Sequence, residues 1–248
     1  MSERQDGAIR IGTSGFSYKE WVGEFYPPKT PGAKMLGYYS ERLPTVEINM
    51  TFRRLPTRKL LEGWAAKTPA HFRFALKAPQ RITHFAKLRG TEEVLDYFIE
   101  TAGALGERLG PTLFQLPPKF KRDTELLKDF LAQLDGRMPV AFEFRDKSWF
   151  DDSTLAALSD AKAALCIAES EKLATPVVRT ASYVYLRLRM ENYDDAGLAQ
   201  WARRIGEFVD DGVQVFAYFK HESSAPDLAN RLRALLSARS ETARDTTV

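Results

Sequence analysis

VAFEFR, residues 140–145, decides how the rest of the chain reads. Side chains of a strand alternate faces, so Phe142 and Phe144 share one face while Glu143 and Arg145 share the other. The aromatic face suits a covering helix. The charged face needs partners or a ligand, because an isolated charge away from water is costly. Six more runs are built the same way: IRIGTS (9–14), VEIN (46–49), FRFALK (72–77), TLFQ (112–115), VYLRLR (184–189) and VFAYFK (215–220). Apolar β-formers carry the body of each run. The C-terminal end then brings Ser14, Glu47 and Asn49, Lys77, Gln115, Arg187 and Arg189, or Lys220. ALCI (164–167) is an eighth strand-like run.

Between these runs the apolar period lengthens to that of a helix, at 34–42, 57–67, 92–108, 124–134, 151–161, 194–210 and 225–236. Thr57, Thr91, Thr124, Asp151 and Asp194 are N-cap candidates at helix starts. Strand and helix alternate along the whole chain, which predicts parallel strands in an α/β fold. Eight strands in 248 residues predict a (β/α)8 TIM-like barrel with a closed, parallel, eight-stranded sheet, a fold that typically takes about 250 residues. The alternative is an open doubly wound sheet. Such sheets usually carry a Gly-rich phosphate turn after the first strand, and GTSGFS (12–17) is not one. The expected domain plan is a leader over 1–7, one barrel over 8–236, and a structureless tail over 237–248, where SARSETARDTTV lacks apolar periodicity.

Composition is that of an ordinary globular chain, with 44% apolar and 28% charged residues. A net charge of +3 is too mild to imply nucleic acid without a clustered patch. The single cysteine, Cys166, rules out an internal disulfide and any multi-cysteine metal site, and its place in ALCIA reads as a buried structural thiol. No apolar run approaches the length of a membrane span, and MSERQDGAIR has no secretory h-region, so a cytoplasmic protein without a membrane partner is the expectation. Nothing in the pattern sets an oligomeric state.

In a closed parallel barrel the C-terminal strand ends meet at one rim, which is where barrel enzymes place their chemistry. Parity turns Lys77 with Ala75, Glu143 with Arg145, Tyr185 with Arg187 and Arg189, and Tyr218 with Lys220 toward the barrel interior or its mouth. Glu47 and Glu143 supply two negatives against Lys77, Arg145, Arg187, Arg189 and Lys220, an excess that favours an anionic ligand. The same residues would also serve as an internal ion-pair lattice with no chemistry. Ser223 and Ser224 precede a helix start and could hold an anion or act as a plain cap. His84, just past the third strand, is a general acid/base candidate. Phe16, Tyr18, Trp21, Phe25 and Tyr26 crowd the first loop, either as a lid that stacks on ligand or as a small core of their own, and Trp149 follows the fifth strand. No cofactor is expected. Three dispersed histidines disfavour a metal site, with an oxygen-rich Mg²⁺ site on Glu47 and Glu143 the remaining possibility.

IGTSGFSYKEWVGEFYPP, VEINMTFRRLP, FALKAPQRITH, LFQLPPKF and FEFRDKSWF resemble, in order, the signature segments of the YecE-like domain-of-unknown-function family, number 72 of that series. The resemblance covers about residues 8–236. It implies a (β/α)8-like barrel and no established reaction. The family's shared polar positions match here as Ser14, Trp21, Glu47, Asn49, Thr51, Lys77, Thr83, His84, Gln115, Glu143, Arg145, Trp149 and Arg187. After the seventh strand the family typically shows Arg-x-His-Gly, where this chain has Arg187-Leu188-Arg189-Met190. After the eighth it often has paired Asn, where this chain has Lys220-His221. Both changes add positive charge or remove a neutral ligand.

The expected function is that of an enzyme acting on a small anionic, sugar-like substrate. Glu143, Glu47 and His84 are its catalytic candidates. Ser14, Trp21, Asn49, Lys77, Gln115, Arg145, Trp149, Arg187, Arg189, Tyr218 and Lys220 are its binding candidates. The alternatives are a nucleic-acid-binding protein that uses the basic rim and loop aromatics, or a non-catalytic ligand-binding barrel.

Overall fold

The computed structural model describes residues 7–169, 173–221 and 223–245, with side chains to Arg239. Eight strands form one sheet: β1 Ile9–Ser14, β2 Thr45–Ile48, β3 Arg73–Leu76, β4 Thr112–Gln115, β5 Val140–Glu143, β6 Ala164–Glu169, β7 Tyr183–Leu188 and β8 Gln214–Phe219. Their order is β3-β2-β1-β8-β7-β6-β5-β4, and every paired ladder is parallel. The two ends of this order meet. Gly110 N donates to Phe74 O at 2.8 Å and Ala78 N to Leu113 O at 2.9 Å. The seam between β3 and β4 is thus closed by bridges on either side of the strands rather than by a full ladder.

Strand parity places the side chains as the alternation predicts. Ala75, Leu113, Ala141, Ala164, Cys166 and Ala168 form the inner cluster with Tyr185, Phe216 and Tyr218. Alanines on β3, β5 and β6 leave the room that the aromatics of β7 and β8 fill. The opposite faces meet the helices: Phe114 and Phe142 stack at 5.4 Å, and Phe130 from the helix Thr124–Leu134 packs 5.4 Å from Phe114. Cys166 is buried in the barrel, where burial pushes its thiol well above the ordinary range, as expected of a structural cysteine. Gly12 has a packing reason rather than a phosphate-binding one. A Cβ there would lie 1.9 Å from the Thr45 carbonyl oxygen, so β1 can approach β2 only with glycine at this point.

The helices are α1 Gly32–Ser40, α2 Met50–Arg53, α3 Arg58–Ala65, α4 Glu92–Ala102, α5 Thr124–Leu134, α6 Asp152–Asp160, α7 Asp195–Asp210 and α8 Ala225–Asp245. Thr57, Asp151 and Asp194 cap as predicted, each accepting a backbone N–H from the first turn. Two caps differ. Asp123, one residue before Thr124, accepts from Leu126 N, and the Thr91 hydroxyl is buried without a partner among the described residues. The end of the barrel is also corrected. α8 runs past 236 to Asp245, because Arg239 lies over Gly206 of α7 and pairs with Asp210 at 2.7 Å. The leader expected over 1–7, apart from Gly7, and residues 246–248 lie outside the described residues. No helix among the described residues is long and apolar enough to cross a membrane.

Candidate functional site

At the C-terminal rim, strands far apart in sequence are joined by one buried arginine. Arg187, the inward residue near the end of β7, is 2% exposed. Its Nε and Nη2 donate to the two Glu47 oxygens at 2.8 and 2.9 Å, while Nη1 donates to Glu143 Oε2. Both carboxylates are fully buried. Burial alone would raise their pKa values. The adjacent Arg187 charge and the hydrogen bonds outweigh that, bringing Glu47 down to about 2 and holding Glu143 below its ordinary range, with Arg189 assisting at Glu143. Arg187 is in turn held charged by the pair, against the burial that opposes it.

Glu47 accepts from five donors: Ser14 Oγ, Asn49 Nδ2 at 3.2 Å, Tyr185 Oη at 2.8 Å, and the two from Arg187. A carboxylate offers about four lone-pair sites, so Glu47 is saturated. It anchors the network, tying β1, β2 and β7 together at the rim. Ser14 and Asn49 are bonded to each other at 2.7 Å and to Glu47, so they also belong to the anchor. Glu143 has fewer donors: Gln115 Nε2 at 2.9 Å, Arg187, and Arg189 Nη2 at 3.0 Å. It lines an open cavity of about 460 Å³ together with Arg145, Arg189 and Lys220. Phe144, Pro118, Ala168, Leu173 and Thr175 complete the wall. The residues after β6 were invisible to strand-end reasoning because they lie in a loop with no periodic signal.

The basic residues divide into two kinds. Arg187 and Arg189 are balanced by Glu47 and Glu143. Arg145 is exposed, Lys220 likewise, and neither forms an ion pair among the described residues. β5 ends at Glu143, so strand parity no longer governs Arg145, although it still reaches the cavity. Arg189 Nε is buried in the wall without a partner among the described residues. Partial desolvation of its amine, reinforced by the charges of Arg187 and Arg189, lowers the pKa of Lys220.

Lys77 is the buried amine of the rim, 8% exposed. Its Nζ donates to Gln115 Oε1 at 2.8 Å and sits 4.1 Å from the Phe52 ring centre. Gln115 thus bridges the two, accepting a hydrogen bond from Lys77 at its oxygen and donating one to Glu143 from its nitrogen. Desolvation and the Arg187 charge bring Lys77 down to about 8. His84 lies on a single wide helical turn, Arg81–Phe85, of the π type that often marks functional positions. Its ring meets Phe52 edge-on at 4.8 Å, and its Nδ1 bonds the Thr83 hydroxyl at 2.9 Å. Burial first, then Lys77 and Arg145, lower its pKa. Phe52, which carries both groups, was missed by sequence reasoning because nothing in VEINMTFRRLP separates a rim aromatic from a core one. Tyr185 was legible by parity alone.

Three binding candidates lie elsewhere. Trp149 is fully buried, stacked 4.6 Å from Phe144, with its indole N–H on Phe120 O at 2.7 Å. Trp21 is 1% exposed within the first-loop aromatics, 4.7 Å from Tyr18 and 6.0 Å from Phe25. Tyr218 lies inside the barrel with its hydroxyl on Thr45 Oγ1 at 2.9 Å. In each case the ring is held by contacts within the fold. The Ser224 hydroxyl is bonded to His221 Nδ1 at 2.8 Å. Among the described residues no group of three His, Cys, Asp or Glu could hold a metal ion, and the Arg187 side chain stands between the two carboxylates that a Mg²⁺ site would need.

Fold and site together define a (β/α)8 barrel with a buried Glu–Arg–Glu bridge under a basic cavity at its C-terminal rim. The chain belongs to the family described as "Protein of unknown function DUF72", whose match spans residues 10–247. Curated relatives include the UPF0759 proteins YunF of Bacillus subtilis, 33% identical over 150 residues, and YecE of Escherichia coli K12, 31% identical over 143. The match takes in 57% of this chain in both cases, and 52% and 50% of those proteins, so it spans about half of their length. Among solved structures, a DUF72 protein of Thermotoga maritima superposes with a TM-score of 0.81 at 25% identity, covering 92% of this chain and 99% of the other. One from Enterococcus faecalis superposes at 0.78 and 20% identity, covering 92% and 95%, and shows the fold alone.

Proposed function

We propose that this chain is an enzyme that binds a small anionic, polyhydroxylated substrate in the rim cavity and moves protons on it. One observation carries the reading: once Glu47 and Glu143 have balanced Arg187 and Arg189, the cavity wall still presents Arg145 and Lys220 without a carboxylate partner among the described residues. A concave basic wall attracts anions. The remaining lone pair of Glu143 suits a substrate hydroxyl. Lys77, at about 8, is able to exchange protons near neutral pH, and His84, which burial and then Lys77 and Arg145 hold below its ordinary range, offers a neutral imidazole as a base. The nucleic-acid alternative gains no support from the first loop, where none of Phe16, Tyr18, Trp21, Phe25 and Tyr26 is exposed as a stacking platform.

The test is a set of melting curves at matched ionic strength with phosphate, sulfate, sugar acids and sugar phosphates. An anion at a hundred times its Kd stabilises by about 2.7 kcal/mol, or roughly 5–10 °C in Tm for a chain of this size. Arg145→Ala combined with Lys220→Ala should abolish the rise. Anions that score are then followed for turnover by NMR. No rise with any anion overturns the reading, and a rise without turnover leaves a ligand-binding barrel.

A further inference from the structure

We infer that Lys77 is a nucleophilic amine that takes a carbonyl carbon of the substrate as a Schiff base. The inference rests on the anionic-substrate reading and names the substrate class within it: an aldehyde or ketone that also carries a carboxylate or phosphate. Four observations converge on it. The amine is buried at the catalytic end of a barrel strand, and no carboxylate pairs with it, because Glu47 and Glu143 are both taken by arginines. A structural lysine at such a depth would be expected to hold one of them. Its hydrogen bond among the described residues is to a neutral amide oxygen, Gln115 Oε1, which orients the nitrogen without stabilising its charge as a carboxylate would. Desolvation first, then the charge of Arg187, favour the neutral amine, the state that attacks, over the opposing pull of Glu47 and Glu143. Finally, His84 shares the Phe52 ring with Lys77, and its Nε2 is without a partner among the described residues.

The chemistry balances within this group. The nitrogen lone pair forms the C–N bond while the carbonyl π pair moves onto oxygen. One N–H proton passes through the imidazole of His84 to that oxygen, giving the carbinolamine. A second proton, taken up from solvent, lets the oxygen leave as water, and the nitrogen lone pair closes the C=N bond to a protonated imine. Arg145 and Lys220 line the cavity that Glu143 shares, two hydrogen bonds from Lys77 by way of Gln115, and hold the anionic end of the same molecule there.

The experiment traps the imine. The full chain is incubated near pH 8 with glyoxylate or dihydroxyacetone phosphate, reduced with borohydride to the secondary amine, and mapped by peptide mass spectrometry. With a pKa of about 8 for Lys77 and about 10.4 for an ordinary lysine, the neutral fraction at that pH differs by roughly a hundredfold. Labelling at Lys77 is therefore expected to exceed that at any surface lysine by at least about tenfold, and Lys77→Met should abolish it while keeping the Tm rise with phosphate. Adducts spread over surface lysines, with the phosphate response intact, overturn the role of Lys77 and leave the anion site standing. Loss of both the Lys77 adduct and the phosphate response in wild type overturns both readings. The wild-type map decides even if the Lys77→Met variant fails to fold.

Discussion

Replacing Arg187 by methionine keeps most of the side chain's volume and removes its charge from between two buried carboxylates. The cost follows by two routes. Leaving one partner of a buried ion pair uncompensated costs about 3–5 kcal/mol, and here a single substitution strands both Glu47 and Glu143. Independently, the drop of Glu47 from its ordinary 4.5 to about 2 corresponds to roughly 3 kcal/mol of stability at neutral pH. For a chain of this size each kcal/mol moves Tm by about 2–4 °C, so Arg187→Met should melt roughly 6–20 °C lower at pH 7. The pH dependence has a definite sign. A carboxylate whose folded pKa is depressed contributes its stability in full above its unfolded value and loses it as pH falls toward the folded one. In wild type that window runs from about 4.5 down to about 2. In the variant, burial acts without Arg187 and raises both carboxylates, which then take up protons as the solution is acidified. The gap between variant and wild type should therefore narrow steadily between pH 7 and pH 4. Calorimetric melts across that range measure it, and adding Glu47→Gln to the variant should recover part of the loss. A variant that melts with wild type at pH 7, or a gap that stays constant down to pH 4, refutes the assignment of Arg187 as the charge that holds the rim together.

Three further outcomes are expected. Lys77→Met should stabilise the protein at pH 7 by about 1–3 kcal/mol, since a buried amine whose pKa is depressed to about 8 costs the folded state most below that pH. The advantage should fade as pH rises from 8 toward 10.5, and urea melts at pH 7 and pH 10 read the difference. Gly12→Ala should prevent folding or melt far below wild type, because its Cβ would meet the backbone of β2 rather than a movable side chain; a soluble variant with wild-type circular dichroism and Tm would contradict that approach of β1 to β2. Trp149→Phe should cost about 1–3 kcal/mol through the stranded Phe120 carbonyl and the lost ring volume. It should leave the phosphate response unchanged, and a weakened response would return Trp149 to the cavity.

Family membership adds no reaction to this picture, and the site must carry the functional argument. What the rim shows is a division of labour among residues that look alike in a one-dimensional reading. Glu47 and Glu143 are both strand-end glutamates, yet one is closed off by five donors and the other faces the cavity. Arg187 and Arg145 are both strand-end arginines, yet one is buried between acids and the other open to solvent.

The sequence alone was enough for the architecture, because the signals that carry it are local. A period of two in VAFEFR and VYLRLR, a helical period between them, and eight repeats of the alternation are properties of neighbouring residues, and the eight strands and most of the helices lie where those periods place them. The same parity turned Lys77, Glu143, Tyr185 and Arg187 toward one end of the barrel, where the strand-end residue Gln115 joins them. It could not pair them. Arg187 and Glu47 are 140 residues apart, and Lys77 and Gln115 are 38. Which of them touch depends on how the strands stagger as the sheet closes. Nor could it orient residues beyond a strand's last hydrogen bond, where the alternation stops. Trp149 was read as facing a ligand from its place after a strand, and in the fold it turns inward, where burying the indole with its N–H satisfied releases more free energy than leaving it at the rim; Trp21, read either as part of a lid or of a small loop core, is buried among the first-loop aromatics. Charge balance was likewise a tertiary result. Only the closed barrel matches two acids to two arginines and leaves Lys77, Arg145 and Lys220 without a carboxylate among the described residues.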